Sequence, residues 1–299
     1  MARRLEDLVA RLAAGEGLAG AEAADLAATT DILTLGMLAD EARRRRHGPD
    51  TTYVRVADVR LPIGGEVPDI PSAAREVRVI ADAAALGALL PGLRDVVTAA
   101  GKVPVSAWSL ADLQAHARAS GASLLDLLRD VRHAGATSIA EAPIDLLDEA
   151  EPALEAVREA GLGLGRLTVH RHTDAAGRIA LILRAAELQH TLGWIPSFAP
   201  LPRSWSAASP TTGYEDVRQV ALARLLADNI PSIQVDWSLY GPKLAQVALT
   251  FGAADLDEVS PLDDVSDGRR RATLEEVRRN IQAAALVPVE RDGAYERIG

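Results

Sequence analysis

Residues Asn229–Asp257 read NIPSIQVDWSLYGPKLAQVALTFGAADLD. The segment Ser232-Ile233-Gln234-Val235-Asp236-Trp237 is β-branched and alternating, Tyr240-Gly241-Pro242 marks a turn, and Lys243 to Leu249 sets apolar residues at helical spacing. That is one strand, one turn and one helix. The strand ends on an acid and an indole at the point where it should leave the core. Asp236 and Trp237 are therefore expected in a binding site.

The same unit recurs towards the N-terminus. Strands are predicted over Thr52–Val59, Glu76–Ala81, Val103–Ala107, Thr137–Ala140, Gly165–Val169 and Ile195–Ala199, and a last short one over Asp255–Val259. Ser109 with Asp112 and Ser123 with Asp126 look like helix starts, in which a hydroxyl and an acid satisfy free amides. Strands that return about every 25 to 40 residues with helices between them are βαβ units. Seven or eight units without a visible linker predict a single (β/α)8-type barrel, complete or slightly open, over residues 51–299. Residues 1–50 have apolar stripes at helical spacing, such as Leu5, Leu8, Val9 and Leu12, and form an N-terminal helical extension. A doubly wound sheet is the alternative, but Ile63-Gly64-Gly65-Glu66 lacks the spacing of a dinucleotide turn and runs towards prolines. Val287 to Asp292 reads as a tail.

Composition narrows the function classes. The 299 residues are 48% hydrophobic, only 3% aromatic, and carry a formal charge of −10. Nucleic acid and anionic membrane are thereby disfavoured as partners. Arg43 to Arg46 and Arg269 to Arg271 are read as solvated helix ends, where cations suit the dipole. No apolar run resembles a signal peptide or membrane span, so a cytoplasmic location is expected. Cysteine is absent, which excludes disulfides, thiolate nucleophiles and cysteine-held metal clusters.

In a barrel the C-terminal strand ends converge on one mouth. Those ends supply Asp58, Arg60, Asp82, Trp108, Glu141, His170, His172, Arg203, Asp236 and Trp237. Glu141, His170, His172 and Asp236 are the candidate acids, bases or ligands of a divalent metal; an H-x-H pair on extended chain places both imidazoles on one side. Asp58, Arg60, Asp82, Trp108, Arg203 and Trp237 are the candidate ligand-binding residues, with arginines on an anionic group and an indole stacked on a ring. The identity of any metal is not assigned.

A family resemblance adds to this reading. The run from Tyr214 to Pro231, the stretch Asn229–Asp257 and Val287-Pro288-Val289-Glu290-Arg291-Asp292 resemble the C-terminal half of the aminofutalosine synthases. Those enzymes, with the dehypoxanthine futalosine cyclases and deazaflavin-cofactor synthases, belong to the radical S-adenosylmethionine superfamily. The resemblance implies a radical-enzyme barrel and a place in the futalosine route to menaquinone. It also exposes what is missing. The family's C-x-x-x-C-x-x-C loop, whose thiolates hold a [4Fe–4S] cluster, corresponds to Leu61–Ile70, which has no cysteine. The glycine-rich segment that helps bind S-adenosylmethionine is replaced by Ala140-Glu141-Ala142-Pro143, which puts that cofactor in doubt. The family's Gly-His pair corresponds loosely to His170-Arg171-His172. Three functions follow: a cluster-less partner, regulator or ligand-binding protein beside a cluster-bearing paralogue; a repurposed non-radical enzyme acting on a futalosine-like small molecule; or an interaction barrel whose strand-end acids are only solvated.

Overall fold

The computed structural model describes residues 26–61, 66–80, 86–171, 173–204, 212–262 and 274–298. Helix α1 (Ile32–His47) leads into β1 (Asp50–Arg60). The chain then alternates through β2 (Glu76–Ile80), α2 (Leu86–Ala100), β3 (Val105–Ser109), α3 (Leu110–Ser120), α4 (Leu124–His133), β4 (Ser138–Pro143) and α5 (Ala150–Glu159). Strand five comes in two pieces, β5 (Gly163–Leu164) and β6 (Leu167–Val169). Then follow α6 (Ala175–Leu192), β7 (Ser197–Pro202), α7 (Gly213–Leu226), β8 (Ser232–Asp236), α8 (Trp237–Leu249), β9 (Asp255–Val259), α9 (Leu274–Ala283) and β10 (Val287–Glu290). All ladders between these strands are parallel, and β1 pairs with β9 as well as β2, so eight strand positions close into a barrel. The aliphatic core lies between the barrel and its helices, where Val77, Val79, Leu93, Leu128, Leu154 and Ile233 are fully buried.

Local sequence explains the exceptions to a regular barrel. Gly165 interrupts strand five because a Cβ there would lie 2.4 Å from the Ala140 carbonyl oxygen; only glycine allows this approach. Helix α8 starts directly at Trp237, and the expected turn at Tyr240-Gly241-Pro242 is a kink inside it, with Gly241 at φ 76° and ψ 166°. The presumed tail is strand β10, in register with the first half of β1 from Asp50 opposite Val287 to Tyr53 opposite Glu290. The reciprocal capping box belongs to Thr212 and Glu215 at the start of α7; Ser123 caps α4, but the Ser109 side chain makes no cap bond. Arg44 to Arg46 are exposed or nearly so, as expected, whereas Arg43 is fully buried and reaches the carbonyls of Gly48 and Asp50. Residues 1–25 and Arg269 to Arg271 lie outside the described residues.

The turn between α7 and β8 is held by a buried cation. Arg224 of α7 is fully buried and donates to the carbonyls of Asp228 (2.8 Å), Ile230 (2.9 Å) and Pro231 (3.2 Å), which fixes the turn before β8. Burial lowers its guanidinium to about 10, despite the charge of Asp228. Gly252, at φ 98°, packs its bare Cα against the Arg224 stem; a Cβ there would come within 2.7 Å of the Arg224 Cβ.

Candidate active site and its relatives

Parallel barrel strands usually fill their interior with branched apolar side chains. Here charged or amide residues recur at period two in the strands, which puts them on the inner face: Glu76 and Arg78 of β2, Asp255 and Asp257 of β9, and Gln234 with Asp236 of β8. All six are buried. Arg166, at the break in strand five, and Arg203, just past β7, complete the set.

Glu258 is the hub. Its Oε1 accepts from Arg78 Nη1 (3.3 Å), Arg166 Nη2 (3.1 Å) and Arg203 Nη2 (2.6 Å), while Oε2 accepts from Ser238 (2.7 Å). Alternation along β9 would turn Glu258 outward, next to the inward Asp257. The ladder between β1 and β9 shifts register at this point and Glu258 takes φ 55°, so a bulge swings both neighbouring acids into the barrel. A left-handed backbone at such a residue costs about 1–2 kcal/mol, which the charge-assisted bonds offset. Burial alone would raise the Glu258 carboxyl, but the three guanidinium groups hold it well below the ordinary carboxylate range.

Around the hub every arginine faces several acids. Arg78 Nη2 is 2.9 Å from Glu76 and 3.2 Å from Asp257. Arg166 bonds Asp236 at 2.8 Å and also pairs with Asp257. Arg203 pairs with Asp236 and, at 3.3 Å, with Glu141. Burial would lower the guanidiniums of Arg78 and Arg203, yet their carboxylate neighbours raise both above the ordinary value. Glu141 also lies 2.9 Å from His170 Nε2. Desolvation opposes its ionisation, but His170, Arg203 and Arg166 together hold the Glu141 carboxyl at about 2.

Above this layer opens a cavity of about 230 Å³, lined by Asp58, Arg78, Trp108, Glu141, Arg166, Arg203 and Glu258 among others. Trp108 is 3% exposed, adopts φ 60°, and its Nε1 has no acceptor. Asp58 is exposed in the open mouth; desolvation by the surrounding wall nevertheless raises its carboxyl above the ordinary value, against the pull of Arg78. Left-handed, non-glycine backbone at two cavity residues is the kind of local strain that accompanies binding sites.

The opposite end of the barrel is closed. Arg291, just past β10, gives Nε and Nη2 to the two oxygens of Asp255 at 2.7 and 2.6 Å, and stacks on the Tyr295 ring at 4.0 Å. The Tyr295 hydroxyl donates to the Gly165 carbonyl at 2.6 Å and meets Ser197 Oγ at 2.6 Å.

With this geometry in place, the relatives are informative. The CofH/MqnC C-terminal region matches residues 199–298, a span that contains Arg203, Asp236, Asp257, Glu258, Arg291 and Tyr295. The aminodeoxyfutalosine synthase of Thermus thermophilus is 27% identical over 226 residues, covering 66% of this chain and 61% of the relative. The 5-amino-6-(D-ribitylamino)uracil–L-tyrosine 4-hydroxyphenyl transferase of Archaeoglobus fulgidus is 28% identical over 235 residues, covering 69% and 68%. The chain is a cysteine-less homologue of these enzymes. Among solved structures, methylornithine synthase has a TM-score of 0.67 at 12% identity over 94% of this chain and 97% of its own. The [FeFe]-hydrogenase maturase HydG has a TM-score of 0.68 at 11% identity, over 96% and 76%. These likenesses show the fold alone, a barrel of the kind that the sequence resemblance to the radical S-adenosylmethionine superfamily implied. The match spans about three fifths of the Thermus relative.

The donor set of this homologue does not fit the cluster of that superfamily. No thiolate exists anywhere in the chain, and oxygen ligands do not replace three thiolates on a [4Fe–4S] centre. Oxygens of Asp236, Asp257 and Glu258 lie within 4.8 Å of one another, a hard-donor set that a divalent cation accepts, but here these carboxylates pair with Arg78, Arg166 and Arg203.

Of the residues singled out by sequence, Asp58, Trp108, Glu141 and Arg203 line the cavity. His170 reaches it through Glu141, and Asp236 lies beneath it in contact with Arg166 and Arg203. Arg60 ends β1 exposed, without an ion pair among the described residues. Trp237 packs into the aliphatic core and is 4% exposed. Asp82 and His172 lie outside the described residues. Sequence reasoning missed Arg78, Arg166, Asp257 and Glu258.

Proposed function

We propose that this chain is a cluster-less barrel that holds a small molecule in its mouth, in the cytoplasm, beside the futalosine route to menaquinone, as a ligand-binding partner or regulator of a cluster-bearing relative. The observation that carries the reading is the cavity itself. Its walls are charged and carry left-handed backbone at Trp108 and Glu258, while polar groups on its lining lack partners. Such an arrangement costs stability and is retained where a ligand completes it. The similarity to aminodeoxyfutalosine synthase and to the cyclic dehypoxanthine futalosine synthase of Streptomyces coelicolor, 26% identical over 206 residues, points to nucleoside-derived intermediates. Calorimetric titration of the full chain with futalosine and its dehypoxanthine form tests the ligand, and capture by a tagged aminodeoxyfutalosine synthase tests the partner. Saturable binding in either experiment is the expected result; absence of both removes the reading.

One observation favours a second reading, a non-radical enzyme. Glu141 and His170 form a carboxylate–imidazole pair at the cavity edge, the arrangement that orients a general base. Turnover of a futalosine-like substrate with a pH–rate profile that H170N abolishes would establish it.

A further inference from the structure

Three guanidinium groups that meet on one oxygen make an anion site, and here the anion is the chain's own. Glu258 Oε1 takes Arg78 Nη1, Arg166 Nη2 and Arg203 Nη2, which come from three different positions around the barrel. Neutralising the arginines does not require it. Glu76 holds Arg78 at 2.9 Å, Asp236 holds Arg166 at 2.8 Å and also pairs with Arg203, and Glu141 lies 3.3 Å from Arg203. With Asp257, these are four carboxylates against three guanidiniums. The same pairs keep the arginines in place when Glu258 is elsewhere. Bringing Glu258 in against the parity of β9 takes a left-handed residue and a shifted ladder, a cost that charge balance alone does not explain. Its two oxygens also differ: Oε1 lies among the arginines, whereas Oε2 is held at 2.7 Å by Ser238, which is exposed.

We propose that Arg78, Arg166 and Arg203 form a binding site for the carboxylate of an organic acid, which the chain fills with Glu258 until a ligand arrives: the incoming carboxylate takes the place of Oε1, and the Glu258 side chain turns to Ser238 and solvent. The inference rests on the mouth as a ligand site. Exchanging one carboxylate for another leaves the guanidiniums paired as before, so no buried cation is stranded. The local field suits a negative charge at this point. Burial opposes it, yet Arg203, Arg166 and Arg78 keep Glu258 ionised well below the ordinary carboxylate range, with the other acids present. All four side chains line the cavity, so only the acid end of the ligand has to fit among the arginines, and its body lies in the cavity and out through the mouth. Glu258 is tethered and competes at a high effective concentration, so the parent chain should bind carboxylates weakly.

The test is calorimetry on the full chain with benzoate, and with benzamide as its uncharged twin. E258G vacates the site, and glycine suits the left-handed backbone at that position. It should bind benzoate at least tenfold more tightly than the parent does, and at least tenfold more tightly than it binds benzamide. Adding R203M to E258G should weaken benzoate at least tenfold, the scale of one charged hydrogen bond. The assignment is overturned by any one of four results: no saturable benzoate binding to an E258G chain that melts cooperatively, equal affinity in parent and E258G, benzamide bound as well as benzoate, or no effect of R203M. Should E258G not fold, E258Q is read in its place, since it keeps the shape of Glu258 and loses the charge; equal affinity in E258Q and parent then overturns the assignment. Futalosine bound by the parent, with benzoate refused by E258G, sinks this assignment alone. Benzoate bound by E258G, with neither futalosine nor the tagged synthase bound by the parent, sinks the earlier reading alone.

Discussion

At the floor of the barrel Arg291 gives its fork to Asp255, Tyr295 spans to Gly165 and Ser197, and Gln234 donates to the second oxygen of Asp255 at 2.6 Å. At the mouth the same two residue classes meet, yet Trp108 Nε1 and Arg166 Nε are buried without partners and acids exceed cations. None of the polar side-chain atoms of Arg291, Asp255 or Tyr295 is left in that state. Identical chemistry thus serves two ends. Matched pairs with every lone pair used close a surface, whereas a surplus with unused donors leaves a surface that something else completes.

That contrast can be broken from either end. The largest effect is expected at the floor: R291M leaves Asp255 charged and enclosed at 0% exposure, and should cost about 3–5 kcal/mol in urea unfolding. At the mouth, R203M frees three carboxylates that remain near Arg78, Arg166 and solvent, so about 1–3 kcal/mol is expected from the same measurement. Acid should weaken the mouth. The Glu141 carboxyl titrates at about 2 in the folded chain against an ordinary 4.5, so its contribution is complete above pH 4.5 and fades as the pH falls towards 2. E141Q should accordingly flatten the loss of melting temperature over that interval. The smallest change is the most discriminating: D58N should leave stability within about 0.5 kcal/mol, or raise it, because the folded mouth disfavours that charge. A large loss in D58N would mean that Asp58 is a structural partner and would erase the contrast.

The barrel was legible because strand and helix periods alternate, and the strand ends led to Asp58, Trp108, Glu141 and Arg203. The hub was not, for two reasons. Arg78 and Asp257 lie within strands, so a search of strand ends passes over them, although the patterns Glu76-x-Arg78 and Asp255-x-Asp257 show charge on one face at period two. Glu258 has the wrong parity for the interior, and only the bulge turns it inward. Trp237 shows the converse: it follows an inward acid, but the immediate start of α8 sends it into the core. Val287–Glu290 is a short segment with proline, and pairing with β1 across the whole chain is invisible to local pattern.

That last pairing has a consequence for biosynthesis. The upper half of β1, Val56–Arg60, finds its neighbour β2 within about one βαβ length of translation. The lower half, Asp50–Tyr53, waits for β9 and β10, whose residues emerge from the ribosome some two hundred codons later. Throughout that interval it is an open strand edge on a growing chain, a template for pairing with neighbouring nascent chains. That edge is covered only once β9 and β10 are in place and Arg291 has met Asp255, so the barrel closes from its last-made strands.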